Sequence, residues 1–600
     1  MKLQTKYYQL WYENATVRWI KTGGVEIIRS IYSAVRDHNW GTVEPKILDE
    51  KVVRNETGFE VVVMAEYKQN NIHFQAEYKI KGEANQLVFE MKGEAKSTFR
   101  TNRVGFCVLH PIKECAGKSC RVIHPDQSTE KMHFPELISP VQPMRNIKKM
   151  VWSPTENIRA QLDFTGDVFE MEDQRNWSDA SYKTYCRPLE LPFPYEINRG
   201  ETIQQKVLLN IQTTEHSGVR EIEPVIFRIE KERTCRIPEY GVCSTSRKET
   251  LTGKEAKILK ELPFSHLRAE LKLFDGEWKL SFVRIIAESN RLGLPLFLVL
   301  YFSENWRKEC LDLEEKNQKM PMNVKFILVV GKNHLSDDAI FSSVNARLKK
   351  NFPKAKIGTG VNAYFAELNR NQPKMEPAGF VSFAICPQVH AFDNATLVEN
   401  LEAQKFVVDS AKTCFRGKPV YVSPVTLKQR FNVVATSGDE PPSNGKLPPQ
   451  ADARQNSVFA AQWLLGSLKF LSQSGADLVT FFETVGWRGF IQGEYEPPLP
   501  DQFSARKNEI FPVFAALKEI SGYNEIVFSK SDSPLNVDGI VLQKEKETKV
   551  LLANFSEYEQ QVAITGLENL RNARALFGSE IKIKNEIIYL SPGATVALVF

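Results

Sequence analysis

The sequence predicts a multidomain protein of mixed α/β and all-β class, in which a (β/α)8 TIM barrel lies between an N-terminal β-sandwich and a small C-terminal β-domain. Three observations lead to this prediction. The 600 residues exceed one ordinary hydrophobic core. Hydrophobicity alternates with period two at both ends of the chain, whereas apolar strands alternate with helix-compatible segments in the middle. We expect domain limits at 1–220, 221–525 and 526–600.

The N-terminal region has the pattern of half-buried antiparallel sheet. Between residues 72 and 80, apolar side chains alternate with polar ones: Ile72, Phe74, Ala76, Tyr78 and Ile80. Stretches 59–64 and 87–91 are similar, and Gly, Asn and Asp residues mark turns between such runs. A sandwich of about two hundred residues is the simplest interpretation. The last seventy residues or so return to the same period, which predicts the closing β-domain.

The middle region contains a series of apolar runs that we interpret as barrel strands. Strands one to seven are predicted at 266–271, 294–302, 324–330, 356–367, 380–386, 419–425 and 477–483, and the eighth, with the weakest pattern, near 526–528. Active sites of such barrels lie at the carboxyl ends of the strands. One connection, 436–455, is too polar to pack a core and is interpreted either as an active-site lid or as an inert insertion.

Charge and composition exclude several classes of function. The formal charge of +5 is small for 78 basic and 73 acidic residues that are interspersed, which argues against a nucleic-acid or membrane-surface partner. The nine cysteines lack paired spacing and are interpreted as buried thiols. No signal peptide or membrane span is evident, so we expect a cytoplasmic protein, or a periplasmic or secreted one if a signal peptide has been removed. No P-loop, Rossmann glycine pattern, GxSxG or HExxH is present, and neither a metal nor a cofactor is predicted.

Two glutamates are the candidate catalytic residues. Glu367 and Glu483 end predicted strands four and seven, where retaining glycosidases built on this barrel carry their acid/base and nucleophile. Two carboxylates in different environments can protonate a leaving oxygen and activate a nucleophile. Those glycosidases usually have Asn before the acid/base, whereas Ala366 precedes Glu367 here. The alternative is that both are structural carboxylates in salt bridges.

Polar and aromatic residues near the predicted strand ends are candidates for substrate binding. Arg268 could hold a carboxylate ionised, or simply pair with its neighbour Glu270. Aromatic faces pack against sugar rings, and Arg or His side chains bind hydroxyl or carboxylate groups. The full candidate set is Arg268, Asn369, Arg370, His390, Asp393, Arg430, Trp487 and Arg488. The polar and aromatic run 170–185 is interpreted as a sandwich–barrel junction, or as a segment that reaches over the active site.

Several of these stretches resemble the D-apionate lactonase family of bacterial apiose catabolism. They are FEMEDQRNWSDASYKTYCRPLELPFP, GTGVNAYFAELNR, PQVHAFD, PVTLKQRFN and FETVGWRG, which run from the first sandwich through the barrel. The resemblance implies intracellular hydrolysis of D-apionolactone to D-apionate, with a small carbohydrate as substrate and a barrel related to the retaining glycosidases. It carries over Glu367 in AELNR and Glu483 in FFETVGWRG as the acidic pair, whose roles are inferred from position.

Three functions are therefore open. In the first, a sugar-lactone hydrolase, Glu483 acts as nucleophile or general base and Glu367 protonates the departing ring oxygen, with Arg268 and His390 holding the pair and the oxyanion. In the second, the same glutamates cleave a glycosidic bond with retention. The third is a carbohydrate-binding scaffold with an inactive barrel.

Overall fold

The computed structural model describes residues 1–213, 224–431, 445–578 and 581–600. The chain divides into two compact units. Of the described residues, the first unit comprises 1–175 and 180–213, and the second comprises the short segment Asn176–Asp179 together with 224–431, 445–578 and 581–600.

The first unit is built from antiparallel sheet, as the period-two pattern predicts. One sheet has eight strands, in the order Lys2–Gln4, Gln9–Glu13, Thr16–Thr22, Val25–Arg36, Arg103–Pro111, Ser181–Tyr185, Phe169–Asp173 and Met144–Ile147. A second sheet has nine, in the order Thr129–His133, Ser119–Ile123, Lys149–Thr155, Ile158–Thr165, Thr202–Thr213, Gln86–Ala95, Ile72–Glu83, Gly58–Gln69 and Pro45–Arg54. Phe99–Thr101 pairs with Tyr195–Ile197. A single apolar core contains side chains from both large sheets, which confirms the β-sandwich.

The second unit contains a closed parallel barrel. Its strands, in order around the ring, are Glu239–Cys243, Leu267–Lys272, Leu296–Phe302, Val324–Gly331, Lys356–Tyr364, Val381–Ile385, Val420–Val425 and Leu478–Val485. The last pairs back onto the first, and Gly489–Ile491 adds a short strand beside it. Aromatic and aliphatic side chains fill the interior, among them Phe297, Phe326, Phe380 and Tyr421. The predicted TIM barrel is confirmed.

The predicted numbering of the barrel strands is wrong by one. The true first strand, Glu239–Cys243, was not predicted, because it has five residues with a Gly in the middle and only a short apolar run. Every later strand therefore moves up by one, and the strand near 526–528 is not part of the barrel. Those residues lie in Glu525–Ser531, which pairs antiparallel with Val225–Arg236.

Helices cover the barrel between its strands. The α-helices of this unit are Gly253–Leu259, Trp278–Leu292, Trp306–Lys319, Asp338–Asn351, Phe365–Asn371, Asn394–Cys414, Val458–Gln473 and Pro512–Ile520, and a 3₁₀-helix spans Ala453–Asn456. Their starts follow ordinary capping chemistry: the side chains of Asp337, Asp393 and Ser457 accept hydrogen bonds from the first turns. Ile112–Cys115 is a short α-helix of the first unit. A 3₁₀-helix spans Gln174–Trp177, and its first two residues belong to the first unit and its last two to the second.

The C-terminal residues form a nine-stranded sheet within the second unit. Its order is Asn572–Phe577, Thr595–Val599, Glu547–Asn554, Val537–Lys544, Glu525–Ser531, Val225–Arg236, Gln560–Thr565, Ile587–Leu590 and Lys582–Lys584. The strand Val225–Arg236 thus precedes the barrel in sequence but pairs with the C-terminal residues. The domain limits 1–220, 221–525 and 526–600 stay a prediction. No helix in the part of the chain that the structure describes is long and apolar enough to cross a membrane.

Candidate active site

A cavity of about 380 Å³ opens at the carboxyl ends of the barrel strands. Residues from the first, second and eighth strands line it, together with residues of the helix Trp278–Leu292 and of loops that include those after the fourth and seventh strands. The charged and polar lining that matters for chemistry is Ser246, Arg268, Glu270, His334, Arg430 and Glu483. This is the end of the barrel where (β/α)8 enzymes hold their substrates.

Glu483 lies in the eighth strand, and both of its carboxylate oxygens have partners. The backbone N–H and the hydroxyl group of Ser246 donate to Oε2, at 2.9 Å and 2.8 Å. The guanidinium group of Arg488 lies 2.6 Å from Oε1. Only 14% of the Glu483 side chain is exposed, so the ion pair compensates a charge that water barely reaches. The carboxylate is therefore held in one orientation at the wall of the cavity.

A second carboxylate, Glu270, is the centre of a cluster of charged and amide groups. Arg268 and Arg430 both donate to its Oε1, at 2.8 Å and 2.6 Å. Both guanidinium groups also donate to the side-chain oxygen of Asn362, at 2.5 Å and 2.8 Å. Burial favours the neutral form of Glu270, but the two guanidinium charges outweigh burial, and its pKa lies well below the ordinary value. Glu270 is therefore an anion at any physiological pH.

Two further side chains extend this cluster. The hydroxyl group of Tyr301 donates to Glu270 Oε2 at 3.0 Å and lies 3.0 Å from Nδ1 of His334. Burial raises the pKa of Tyr301 well above its ordinary value, so its phenol stays neutral. The ring of His334 stacks on Phe431 with 4.1 Å between centroids. The cluster thus presents two guanidinium groups in fixed positions to the cavity.

Four of the predicted site residues line this cavity. They are Glu483, Arg268, Arg430 and Arg488. For Arg268, the pairing with Glu270 that the sequence offered as the plainer alternative is present. That pairing and a role in the cavity are compatible, because Arg268 is bound to Asn362 as well.

Glu367 is not among the residues that line the cavity. The fourth barrel strand is Val324–Gly331, so Glu367 does not end it. Glu367 lies instead in the first turn of the helix Phe365–Asn371, where its carboxylate accepts a hydrogen bond from the backbone N–H of Tyr364 at 3.1 Å. Burial raises the pKa of Glu367. The structure therefore does not bring Glu367 and Glu483 together in this cavity, and the analogy with strands four and seven is wrong for both.

Three other predicted residues gather around the segment Asn176–Asp179. Asn369 donates to the side-chain oxygen of Asn176 at 3.0 Å. The guanidinium group of Arg370 lies 5.0 Å from the ring centroid of Trp177. His390 Nδ1 lies 2.7 Å from a carboxylate oxygen of Asp179. These side chains are outside the cavity lining, and this part of the 170–185 run belongs to the barrel unit.

The remaining two predicted residues, Asp393 and Trp487, do not line the cavity. Asp393 caps the helix Asn394–Cys414, accepting hydrogen bonds from the backbone and hydroxyl of Thr396 at 3.0 Å and 2.7 Å. Trp487 lies in the turn after the eighth strand and does not line the cavity. Of the loop 436–455, residues 436–444 fall outside the described residues. Gln450, Asp452 and Gln455 do line the cavity, and the choice between lid and insertion stays a prediction.

Sequence reasoning missed several residues of the site, namely Ser246, Glu270, Glu288, Tyr301, His334 and Asn362. Glu270 had a signal, because it lies two residues after Arg268 on a strand and must share its face. Asn362 lies in GVNAYF, one of the stretches that resemble the lactonase family. Ser246 and Glu288 had none, since the first follows a strand that was not predicted and the second lies within a helix.

In residues 1–213, 224–431, 445–578 and 581–600, no group of three His, Cys, Asp or Glu side chains is arranged to hold a metal ion. Cys243 does line the cavity, but burial raises the pKa of its thiol to about 11, which leaves it protonated at neutral pH.

The structure is a closed parallel barrel, and the cavity at the carboxyl ends of its strands contains carboxylates that form ion pairs with guanidinium groups. This is the architecture of a (β/α)8-barrel enzyme. The model of the D-apionate lactonase N-terminal domain matches residues 2–214, and the model of the D-apionate lactonase TIM barrel domain matches residues 240–525. The chain belongs to the D-apionate lactonase family.

One curated relative and two solved structures are similar to this chain. A protein from Brucella anthropi named D-apionate lactonase is 29% identical over 571 residues, covering 92% of each chain. Among solved structures, a family 51 alpha-L-arabinofuranosidase from Bifidobacterium longum has a TM-score of 0.45 at 12% identity, covering 63% of this chain and 99% of that one. A family 39 glycoside hydrolase from Bacteroides cellulosilyticus has a TM-score of 0.42 at 12% identity, covering 81% and 95%.

Proposed function

We propose that this protein is a sugar-lactone hydrolase that opens D-apionolactone to D-apionate, and that Glu483 is the base of the reaction. The observation that carries the proposal is the position of Glu483 in the cavity wall, in a chain of the D-apionate lactonase family. We propose D-apionolactone as the substrate because the relative from Brucella anthropi is named D-apionate lactonase.

Glu483 can serve both proton transfers of lactone hydrolysis. It takes a proton from a water molecule as the water oxygen attacks the lactone carbonyl carbon. When the tetrahedral intermediate collapses, the bond between that carbon and the ring oxygen breaks, and Glu483 returns the proton to the ring oxygen. The product acid then releases its own proton to solvent. One carboxylate is therefore enough, and Glu367 is not needed.

The guanidinium groups of Arg268 and Arg430 are the groups best placed to stabilise the oxyanion. Glu270 and Asn362 hold both of them in fixed positions, so little reorganisation is needed when negative charge develops on the carbonyl oxygen. Arg430 is the more accessible of the two, with 15% of its side chain exposed against 3% for Arg268. We therefore assign the direct contact to Arg430.

The glycosidase alternative loses its positional argument. With the corrected numbering, the strand ends that it requires are those of Val324–Gly331 and Val420–Val425. They lead into Lys332, Asn333 and His334 and into Thr426, none of which is a carboxylate. The barrel strands that contribute carboxylates to the cavity lining are instead the second and the eighth, with Glu270 and Glu483.

The test compares two substrate classes and two arginine variants. Wild-type protein should open D-apionolactone, followed by acid release and corrected for spontaneous hydrolysis, and leave a panel of aryl glycosides intact. Arg430→Gln should lower kcat/KM about 10²–10³-fold, the usual cost of removing one oxyanion donor. The matched control is Arg347→Gln, an exposed arginine 3.9 Å from Glu314. Glycoside cleavage without lactone turnover would overturn the proposal.

A further inference from the structure

Another glutamate, Glu288, is a largely buried residue of the cavity lining that has no place in the reaction as described. It belongs to the helix Trp278–Leu292, and 6% of the residue is exposed. Its carboxylate accepts three hydrogen bonds from two different parts of the barrel. Ser244 donates through its hydroxyl group to Oε2, while Oε1 accepts from the hydroxyl of Thr484 at 2.7 Å and from the backbone N–H of Thr245 at 3.3 Å.

These partners lie directly beside the groups that orient Glu483. Thr484 follows Glu483 in the eighth strand. Ser244 and Thr245 precede Ser246, whose N–H and hydroxyl bind the Glu483 carboxylate. The hydroxyl of Thr245 also donates to the backbone carbonyl of Val485 at 3.2 Å. The segment 244–246 is therefore held by two carboxylates, those of Glu288 and Glu483.

We propose that Glu288 is a positioning residue of this enzyme, which holds the segment 244–246 and the end of the eighth strand so that Glu483 keeps a single orientation toward the substrate. The proposal rests on the proposed function, since Glu483 is the base only in that account. Both carboxylate oxygens of Glu288 accept hydrogen bonds from Ser244, Thr245 and Thr484, so we assign it a role that acts through these residues.

The electrostatics of the site agree with this role. Burial raises the pKa of Glu288, the hydrogen bonds from Ser244 and Thr484 oppose that rise, and the nearby charge of Glu483 adds to it. A buried carboxylate at this place costs stability unless all its partners are present.

The test uses a matched buried glutamate elsewhere in the barrel. Glu309 is equally buried at 6%, lies in the helix Trp306–Lys319, and accepts hydrogen bonds from the backbone and hydroxyl of Ser303. It does not line the cavity. Glu288→Ala and Glu309→Ala should therefore cause similar losses of stability, while only the first should affect the orientation of Glu483.

We expect Glu288→Ala to lower kcat about 100-fold with little change in KM, the cost of a displacement of about 1 Å in a catalytic group. In Glu288→Gln the remaining side-chain oxygen can still accept hydrogen bonds from Thr484 and Thr245. Its kcat should therefore be about tenfold higher than that of Glu288→Ala. Glu309→Ala should keep kcat within about twofold. An unchanged kcat in Glu288→Ala would overturn the proposal.

A second measurement does not depend on activity. Hydrogen–deuterium exchange of peptides covering 244–247 should become several-fold faster in Glu288→Ala and stay as in wild type in Glu309→Ala. Equal protection in both variants would overturn the positioning role even if the lactone proved to be the wrong substrate. Absence of lactone turnover by wild type, with faster exchange in Glu288→Ala, would instead overturn the proposed function alone.

Discussion

At the scale of single residues, the ionised state of Glu270 makes a prediction about pH. The pKa of this carboxyl group is depressed in the folded protein, so its contribution to stability is present above the unfolded pKa, near 4.3, and is lost as pH falls below it. At pH 7, Glu270→Gln should lower the melting temperature of the barrel by roughly 2–4 °C, the shift expected for about 1 kcal/mol in a large domain. Below about pH 4 the difference from wild type should shrink.

Calorimetry from pH 3 to pH 7 on both proteins measures this difference. Glu304→Gln is a suitable control, because Glu304 is 83% exposed and pairs with Lys332 at the surface. A gap between wild type and Glu270→Gln that stays constant over the whole range would contradict an ionised Glu270 between two guanidinium groups.

Some residues of the cavity could be predicted from the sequence, and others could not. Arg268, Arg430, Glu483 and Arg488 could be found because strand ends and loop chemistry are visible in one sequence. The partner of Arg430 could not, since Glu270 lies 160 residues away and only the closed barrel brings the two together. A single sequence gives the kind of side chain at a position, but not which distant side chain it meets.

At the scale of secondary-structure elements, the first barrel strand depends on a glycine. A Cβ atom on Gly241 would lie 2.4 Å from ring atoms of the buried His266, which is far inside van der Waals contact. Gly241→Ala should therefore destabilise the barrel by about 1–3 kcal/mol, the range for overpacking of a close-packed core. Urea denaturation measures this loss.

Gly276→Ala is the matched control for that substitution, because no atom lies within 4 Å of a Cβ built on Gly276. Equal stability of the two variants would show that the first strand does not approach His266 as closely as described. The same glycine explains why the strand was missed, since Gly breaks the apolar run that identifies strands in a sequence. The other seven barrel strands were predicted, and the long apolar runs of Leu296–Phe302 and Val324–Gly331 are the clearest of these signals.

A second element-scale prediction concerns the helix Val458–Gln473 and the C-terminal sheet. Lys469 and Asp538 form an ion pair at 2.5 Å, and their side chains are only 2% and 4% exposed. Lys469→Met leaves the Asp538 charge uncompensated and should cost about 3–5 kcal/mol. The double variant Lys469→Met with Asp538→Leu should recover most of that loss, because it removes both buried charges.

Chemical denaturation of the two single variants and the double variant forms a double-mutant cycle. If the double variant proves as unstable as Lys469→Met alone, the loss comes from side-chain packing and not from an unpaired charge.

At the scale of the whole molecule, the architecture was the most predictable feature. Alternation with period two is typical of antiparallel sheet with one solvated face, and it predicts the sandwich and the C-terminal sheet. Continuous apolar runs are typical of buried parallel strands, and they predict the barrel. The numbering of the strands did not, because it depends on every strand being found. Because the first strand is missed, the analogy with strands four and seven falls on residues of other strands: Glu367 follows the fifth strand and Glu483 lies in the eighth.

The central claim is that lactone hydrolysis takes place in the cavity that contains Glu483. It is tested most directly by the initial rate of D-apionolactone opening, corrected for spontaneous hydrolysis, by wild type, Glu483→Gln and Glu367→Gln. We expect Glu483→Gln to lower kcat about 10²–10⁴-fold, the usual contribution of a general base. Glu367→Gln should stay within about threefold of wild type, because Glu367 caps a helix outside the cavity lining. The reverse result, with activity lost in Glu367→Gln and kept in Glu483→Gln, would contradict the account.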